Sequence, residues 1–78
     1  MAPQFSPKVV KEWTEKIHAH ICASAPIPAC SVARWLVDHC PECYDIADSC
    51  TLLARCMFGL IEKNNIAVDY EGYFVMVP

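Results

Sequence analysis

Proline placement constrains this chain more than any other feature. Pro7, Pro26, Pro28 and Pro41 interrupt a sequence of 78 residues. Proline fixes φ near −65° and has no N–H to give, so a helix can open on one but cannot run through it. These positions cut the chain into three helical segments and a C-terminal remainder.

Ser6-Pro7 opens the first segment, with Ser6 as N-cap and Pro7 at the first helical position. Val9, Val10, Trp13, Ile17 and Ile21 follow at spacings of three and four, and Lys8, Lys11, Glu12, Glu15 and Lys16 fill the other face. Glu12 and Lys16 form an i,i+4 pair in the better orientation. This pattern predicts a helix from Pro7 to about residue 22. Residues 23–28 form an extended connector, forced by Pro26 and Pro28. A second helix begins near Cys30 or Ser31 and ends near His39. Its inward set is Val32, Trp35, Leu36 and Cys40, with Ala33, Arg34 and Asp38 outward. Pro41 then breaks the chain within the turn Cys40–Tyr44.

The third helix starts at Asp45, where Asp48 three residues later resembles a capping box. At about 100° per residue, Ile46, Cys50, Leu53, Met57, Leu60 and Ile61 share the inward face. Asp48, Thr51, Arg55, Gly59 and Glu62 lie opposite, with Leu52, Cys56 and Phe58 on the flanks. Asn64-Asn65 reads as a C-terminal cap pair. Ile66–Tyr70 and Tyr73–Val77 flank Glu71-Gly72 as a β-hairpin. A two-residue type I′ turn there places Tyr70 opposite Tyr73. The fold class is α+β: a loose tail over residues 1–5, then a single compact domain over residues 6–78 with three helices and a C-terminal hairpin.

Composition removes several function classes. The chain is 55% hydrophobic and 19% charged, too apolar for a disordered segment. No opening apolar region marks a secretion signal and no run reaches the length of a membrane span, which predicts a cytoplasmic protein without membrane contact. Its six cysteines are then expected to be reduced, small apolar core residues. With two glycines, no phosphate-cradling loop is possible. So small a core leaves little room for a substrate cavity, so no enzyme and no cofactor are expected.

The order of helix, extended connector, helix, turn, helix and hairpin resembles the winged helix-turn-helix superfamily. The likeness is strongest where Leu60-Ile61-Glu62-Lys63-Asn64-Asn65 passes into a hairpin closed by Glu71-Gly72 and followed by Tyr73-Phe74-Val75. The resemblance implies a recognition helix over residues 45–62, a wing tip over residues 69–73, and DNA binding as one function. The charge runs against that function. Residues 38–71 hold seven acids (Asp38, Glu42, Asp45, Asp48, Glu62, Asp69, Glu71) and two bases (Arg55, Lys63), a net of −5, whereas the first 37 residues carry +2. Phosphate neutralisation needs the reverse.

The surface to expect is therefore a protein-binding one. Tyr44, Tyr70, Tyr73, Phe58, Leu52 and Met76 cannot all be buried in so small a domain, and exposed aromatics rimmed by acids suit a protein contact. The candidate partner-binding residues are Asp45, Asp48, Arg55, Asp69, Tyr70, Glu71 and Tyr73. The expected partner is another protein with a basic surface, or a second copy of the chain. An adaptor or inhibitor fits, including one encoded by a virus or mobile element and mimicking nucleic-acid charge. The alternatives are a DNA-binding regulator and a small zinc-stabilised domain. The last would use Cys40 and Cys43, at C-x2-C spacing, with Cys50, although the same cysteines can simply pack inward. His18, His20 and Cys22 gather at the end of the first helix, where histidine suits the helix dipole. At i and i+2 the two histidines do not share a face.

Overall fold

The computed structural model describes residues 5–63 and 66–77. The elements run α1 (Pro7–Ser24), β1 (Ile27–Pro28), α2 (Ala29–His39), α3 (Ile46–Lys63), β2 (Ile66–Val68) and β3 (Tyr73–Met76). Three helices pack with a three-stranded antiparallel sheet of order β1-β3-β2, an α+β globule compatible with a winged-helix-like arrangement. Most of the expected tail, residues 1–4, lies outside the described residues, and Phe5 is buried in the core.

In α1, Ser6 Oγ accepts the Val9 N–H at 3.2 Å and Pro7 holds the first turn. Trp13, Ile17 and Ile21 are buried, as their spacing requires. The helix runs two residues beyond its expected end, and the Ala25–Pro26 peptide after it is cis. The connector contains a strand that the sequence did not announce. Ile27 and Pro28 pair with Phe74 and Tyr73, and the Ala29 N–H donates to the Gly72 carbonyl at 2.9 Å. A two-residue strand has no alternation to read, and Pro28 is tolerated because β1 is an edge.

α2 starts immediately after Pro28, earlier than expected. It packs against both α3 and β1, which widens its buried arc to Val32, Ala33 and Leu36. Ala33, expected to face outward, is 2% exposed. In α3 the expected inward face is rotated. Ser49, Leu52, Leu53, Cys56 and Leu60 are buried, whereas Ile46, Cys50 and Ile61 are exposed and Met57 is half-buried. The reason is α1, which lies along the Cys56 side of the helix. Cys56 Sγ reaches the Val10 carbonyl at 3.6 Å, and Gly59, expected outward, faces Thr14. Ser49, the one buried polar residue in the described core, donates its hydroxyl to the Asp45 carbonyl at 3.2 Å. The expected Asn64-Asn65 cap lies outside the described residues.

The hairpin closes differently from expectation. Val68 pairs with Phe74, Ala67 with Val75 and Ile66 with Met76, so the loop is Tyr70-Glu71-Gly72 rather than Glu71-Gly72. Tyr70 therefore stands in the loop and does not face Tyr73. Gly72 sits at φ +84°, the left-handed position that ends a three-residue hairpin loop. A one-residue change of register exchanges the two faces of a strand. It puts Phe74 and Ile66 on one face, and both are buried. Among the described residues, no helix is long and apolar enough to cross a membrane.

Candidate functional site: the outward face of α3 and the wing

The rotation of α3 decides what it shows to solvent. Ala47, Cys50, Ala54, Phe58 and Ile61 point away from the core, and Phe58 is 71% exposed. Around them stand Arg55 and Glu62, both exposed. The helix forms a ridge between two grooves. On one side a groove of about 560 Å³ runs between α1 and α3, bounded by Phe5, Val10, Lys11, Glu15, Arg55 and Phe58. On the other, a groove of about 390 Å³ lies between α2, α3 and the sheet. Its walls are Ala29, Cys30, Ala33, Cys50, Leu53, Ala54, Met57, Val68 and Phe74, with no charged side chain among them.

The seven expected contact residues fall into two groups. Asp45, Asp48 and Arg55 belong to α3 and its cap. Asp69, Tyr70, Glu71 and Tyr73 belong to the wing. Asp45 Oδ1 accepts the Asp48 N–H, and Asp48 Oδ2 accepts the Tyr44 N–H, each at 2.9 Å. The capping box is thus formed, with its return bond one residue further out than usual. In the wing, Asp69 Oδ1 accepts the Glu71 N–H at 2.9 Å and the Tyr73 N–H at 3.0 Å. Three of the four carboxylates therefore hold local backbone as well as charge. Glu71 is exposed, Tyr70 is 97% exposed at the loop tip, and Tyr73 is half-buried on β3. Tyr44 and Met76 are exposed as well, whereas Leu52 is buried.

Ala54 and Cys50 were not singled out by the sequence as contact residues, and Phe58 was read only as one of several large apolar residues that cannot all be buried. Apolar residues cover more than half of α3, so its periodicity fixes a helix but leaves the centre of the buried arc open. Only the docking of α1 settles it.

The Cys40-Pro41-Glu42-Cys43 turn packs inward, with both thiols buried and the Cys43 N–H bonded to the Cys40 carbonyl at 3.0 Å. Burial first, and then hydrogen bonding of its thiol to Glu42 at 3.3 Å, pushes Cys40 up to about 12. Cys50 is exposed on α3, and among the described residues no group of three or more His, Cys, Asp and Glu is placed to hold a metal. The structure therefore does not assemble Cys40, Cys43 and Cys50 into a site.

A ring cluster joins α1 to α2. Trp13 meets Trp35 edge to face at 6.0 Å between centroids. His20 stacks on Trp35 at 4.3 Å and 9°, and His39 stacks on it at 4.9 Å. Lys16 Nζ lies 4.4 Å from the Trp13 ring centroid. His39 Nδ1 is 2.8 Å from the Trp35 carbonyl, so that nitrogen carries the proton. His18, on the other side of α1, touches Cys22 instead. No family model matches the chain, and neither a curated protein nor a solved structure matches it.

Proposed function

We propose that this chain is a non-enzymatic, winged-helix-like module that binds another protein through the outward face of α3 and the wing. The observation that carries the proposal is the ridge of Cys50, Ala54, Phe58 and Ile61 beside a groove with no charged wall. Phosphates reward cations, and the groove between α2, α3 and the sheet gives them none, while exposed Arg55 of α3 is offset by exposed Glu62. A protein contact rewards an exposed aromatic ring set in desolvated apolar surroundings. Tyr70 adds a second aromatic anchor on the wing, and Glu71 beside it would steer a basic partner toward the contact. An adaptor or an inhibitor, engaging a basic protein or a second copy of itself, is the role this surface fits.

Photo-crosslinking tests it. A benzophenone side chain placed at residue 58 or 70 should give a discrete protein adduct in cells, and the same group at exposed Glu12 of α1 should not. A random duplex should show no mobility shift at low salt. A salt-sensitive shift that weakens in Arg55→Ala, with no adduct from residue 58 or 70, would return nucleic acid to first place.

A further inference from the structure

His18 and Cys22 stand one turn apart on α1, and Met76 comes to them from β3. Cys22 Sγ is 3.3 Å from His18 Nε2 and 3.9 Å from Met76 Sδ. Cys22 Sγ thus touches an imidazole nitrogen of its own helix and a thioether sulfur 54 residues away in sequence. We infer that His18, Cys22 and Met76 form a binding site for a soft monovalent metal ion, Cu(I) or Ag(I).

The spacing fits a three-coordinate ion. Metal–sulfur bonds of about 2.3 Å and metal–nitrogen bonds of about 2.0 Å fix the edges of the donor triangle. For angles of about 100–120° they place sulfur and nitrogen about 3.3–3.7 Å apart, and two sulfurs about 3.5–4.0 Å apart. The two separations from Cys22 Sγ match the two edges that meet at that sulfur.

The donor set selects the ion. Thiolate and thioether are soft ligands and favour Cu(I), whereas Ca²⁺ and Mg²⁺ require oxygen. A structural zinc site asks for four ligands and takes cysteine or histidine rather than a thioether. On binding, the Cys22 thiol releases its proton to solvent and its sulfur bonds the cation, so one positive charge replaces another. No electron moves, because the metal arrives as the monovalent ion.

The scaffold is firm and the site is open. His18 and Cys22 are held at i,i+4 on an 18-residue helix, and Met76 ends the central strand of the sheet. Cys22 is exposed and Met76 is 42% exposed, so an ion can reach the sulfurs from solvent. The site lies on α1 and β3, apart from the α3 ridge, and does not depend on the protein-binding role.

The test uses the full reduced chain under anaerobic conditions, with Ag(I) as a redox-inert probe and Cu(I) presented against a competing chelator. One equivalent of Ag(I) should shift the Met76 methyl and the His18 ring resonances and leave the Met57 methyl in place. Cys22→Ser removes the one anionic ligand and should weaken Cu(I) binding by at least about a hundredfold, beyond the roughly 10–100-fold that loss of an outer-shell partner costs. Met76→Leu removes a neutral ligand and should weaken it by at least about tenfold, the lower end of what loss of an outer-shell partner costs. Both changes are on the surface, and an unchanged helical signal in circular dichroism verifies the fold. Metal uptake that leaves Met76 unmoved, or a Cys22→Ser protein that binds as tightly as its parent, would overturn the site and assign uptake to exposed Cys30 or Cys50.

Discussion

Gly59 of α3 and Thr14 of α1 meet where the two helices cross, so that a Cβ added to Gly59 would stand 2.9 Å from the Thr14 γ-methyl. Two effects compete at this position. Alanine in a helix interior is better than glycine by about 1 kcal/mol. Forcing an atom into a closely packed contact costs about 1–3 kcal/mol. The methyl belongs to a β-branched side chain whose hydroxyl is tied to the Val10 carbonyl at 2.6 Å, so it cannot swing clear cheaply. Gly59→Ala should therefore destabilise the protein by about 1 kcal/mol in urea unfolding. Thr14→Ser removes the offending methyl and keeps a hydroxyl, and in combination it should restore the loss. A Gly59→Ala protein more stable than its parent would mean that the helices part easily here.

The wing depends on one carboxylate and one glycine. Asp69 Oδ1 satisfies the N–H groups of Glu71 and Tyr73. Asp69→Ala leaves both without that acceptor and should cost about 1–2 kcal/mol. Asp69→Asn keeps an acceptor oxygen and should cost much less. Gly72 at φ +84° has open space around its Cα, so Gly72→Ala is penalised by backbone strain alone, at about 1 kcal/mol. Amide hydrogen exchange at Glu71 and Tyr73 separates the cases: it should accelerate in Asp69→Ala and stay slow in Asp69→Asn.

The same residues show how far the sequence could be read. Ser6-Pro7 and Asp45 mark helix starts by local chemistry, and those starts are found where the chain places them. The hairpin was legible as two strands with Gly72 at the turn. Its register was not, because a glycine can close a two-residue or a three-residue loop. The choice between them rests on the Asx turn at Asp69 and on burying Phe74. The α3 ridge was hidden for a related reason. Ile46, Cys50 and Ile61 look as apolar as Leu52, Cys56 and Leu60, and only the approach of α1 at Val10 and Thr14 separates the two sets. The contact of Cys22 with Met76 joins residues from opposite ends of the chain, and no spacing rule announces it.

The six cysteines divide by position. Cys22, Cys30 and Cys50 are exposed, and Cys40, Cys43 and Cys56 are buried. The thiolate is the reactive form, and burial pushes up the Cys56 thiol as well as that of Cys40. Brief alkylation of the native protein at pH 8 should modify the three exposed thiols, and all six should react in denaturant. Peptide mapping identifies them. Rapid native labelling of Cys40 or Cys43 would show that the turn at Pro41 opens readily.

Acid should weaken the α1–α2 contact through His20. Its pKa lies below the ordinary value of 6.5, first because burial penalises the charged ring and then because His39 repels it. Lys16 lines the same shallow groove as these two histidines and adds positive charge on that side. A histidine whose folded pKa is lowered binds fewer protons folded than unfolded, so stability rises with pH across the interval between the two values. Its contribution is fully present above about pH 6.5 and is lost as pH falls through the folded pKa. His20→Gln should therefore have a flatter profile of melting temperature between pH 7 and pH 5 than the parent, and the difference between the two curves isolates this group from the carboxylates. His39→Ala should raise the His20 pKa in an NMR titration, but only partway to 6.5, because burial against Trp35 is the larger cause. Identical profiles for the parent and His20→Gln would show that the stacked ring is protonated without cost, and with it the α1–α2 contact would lose its pH sensitivity.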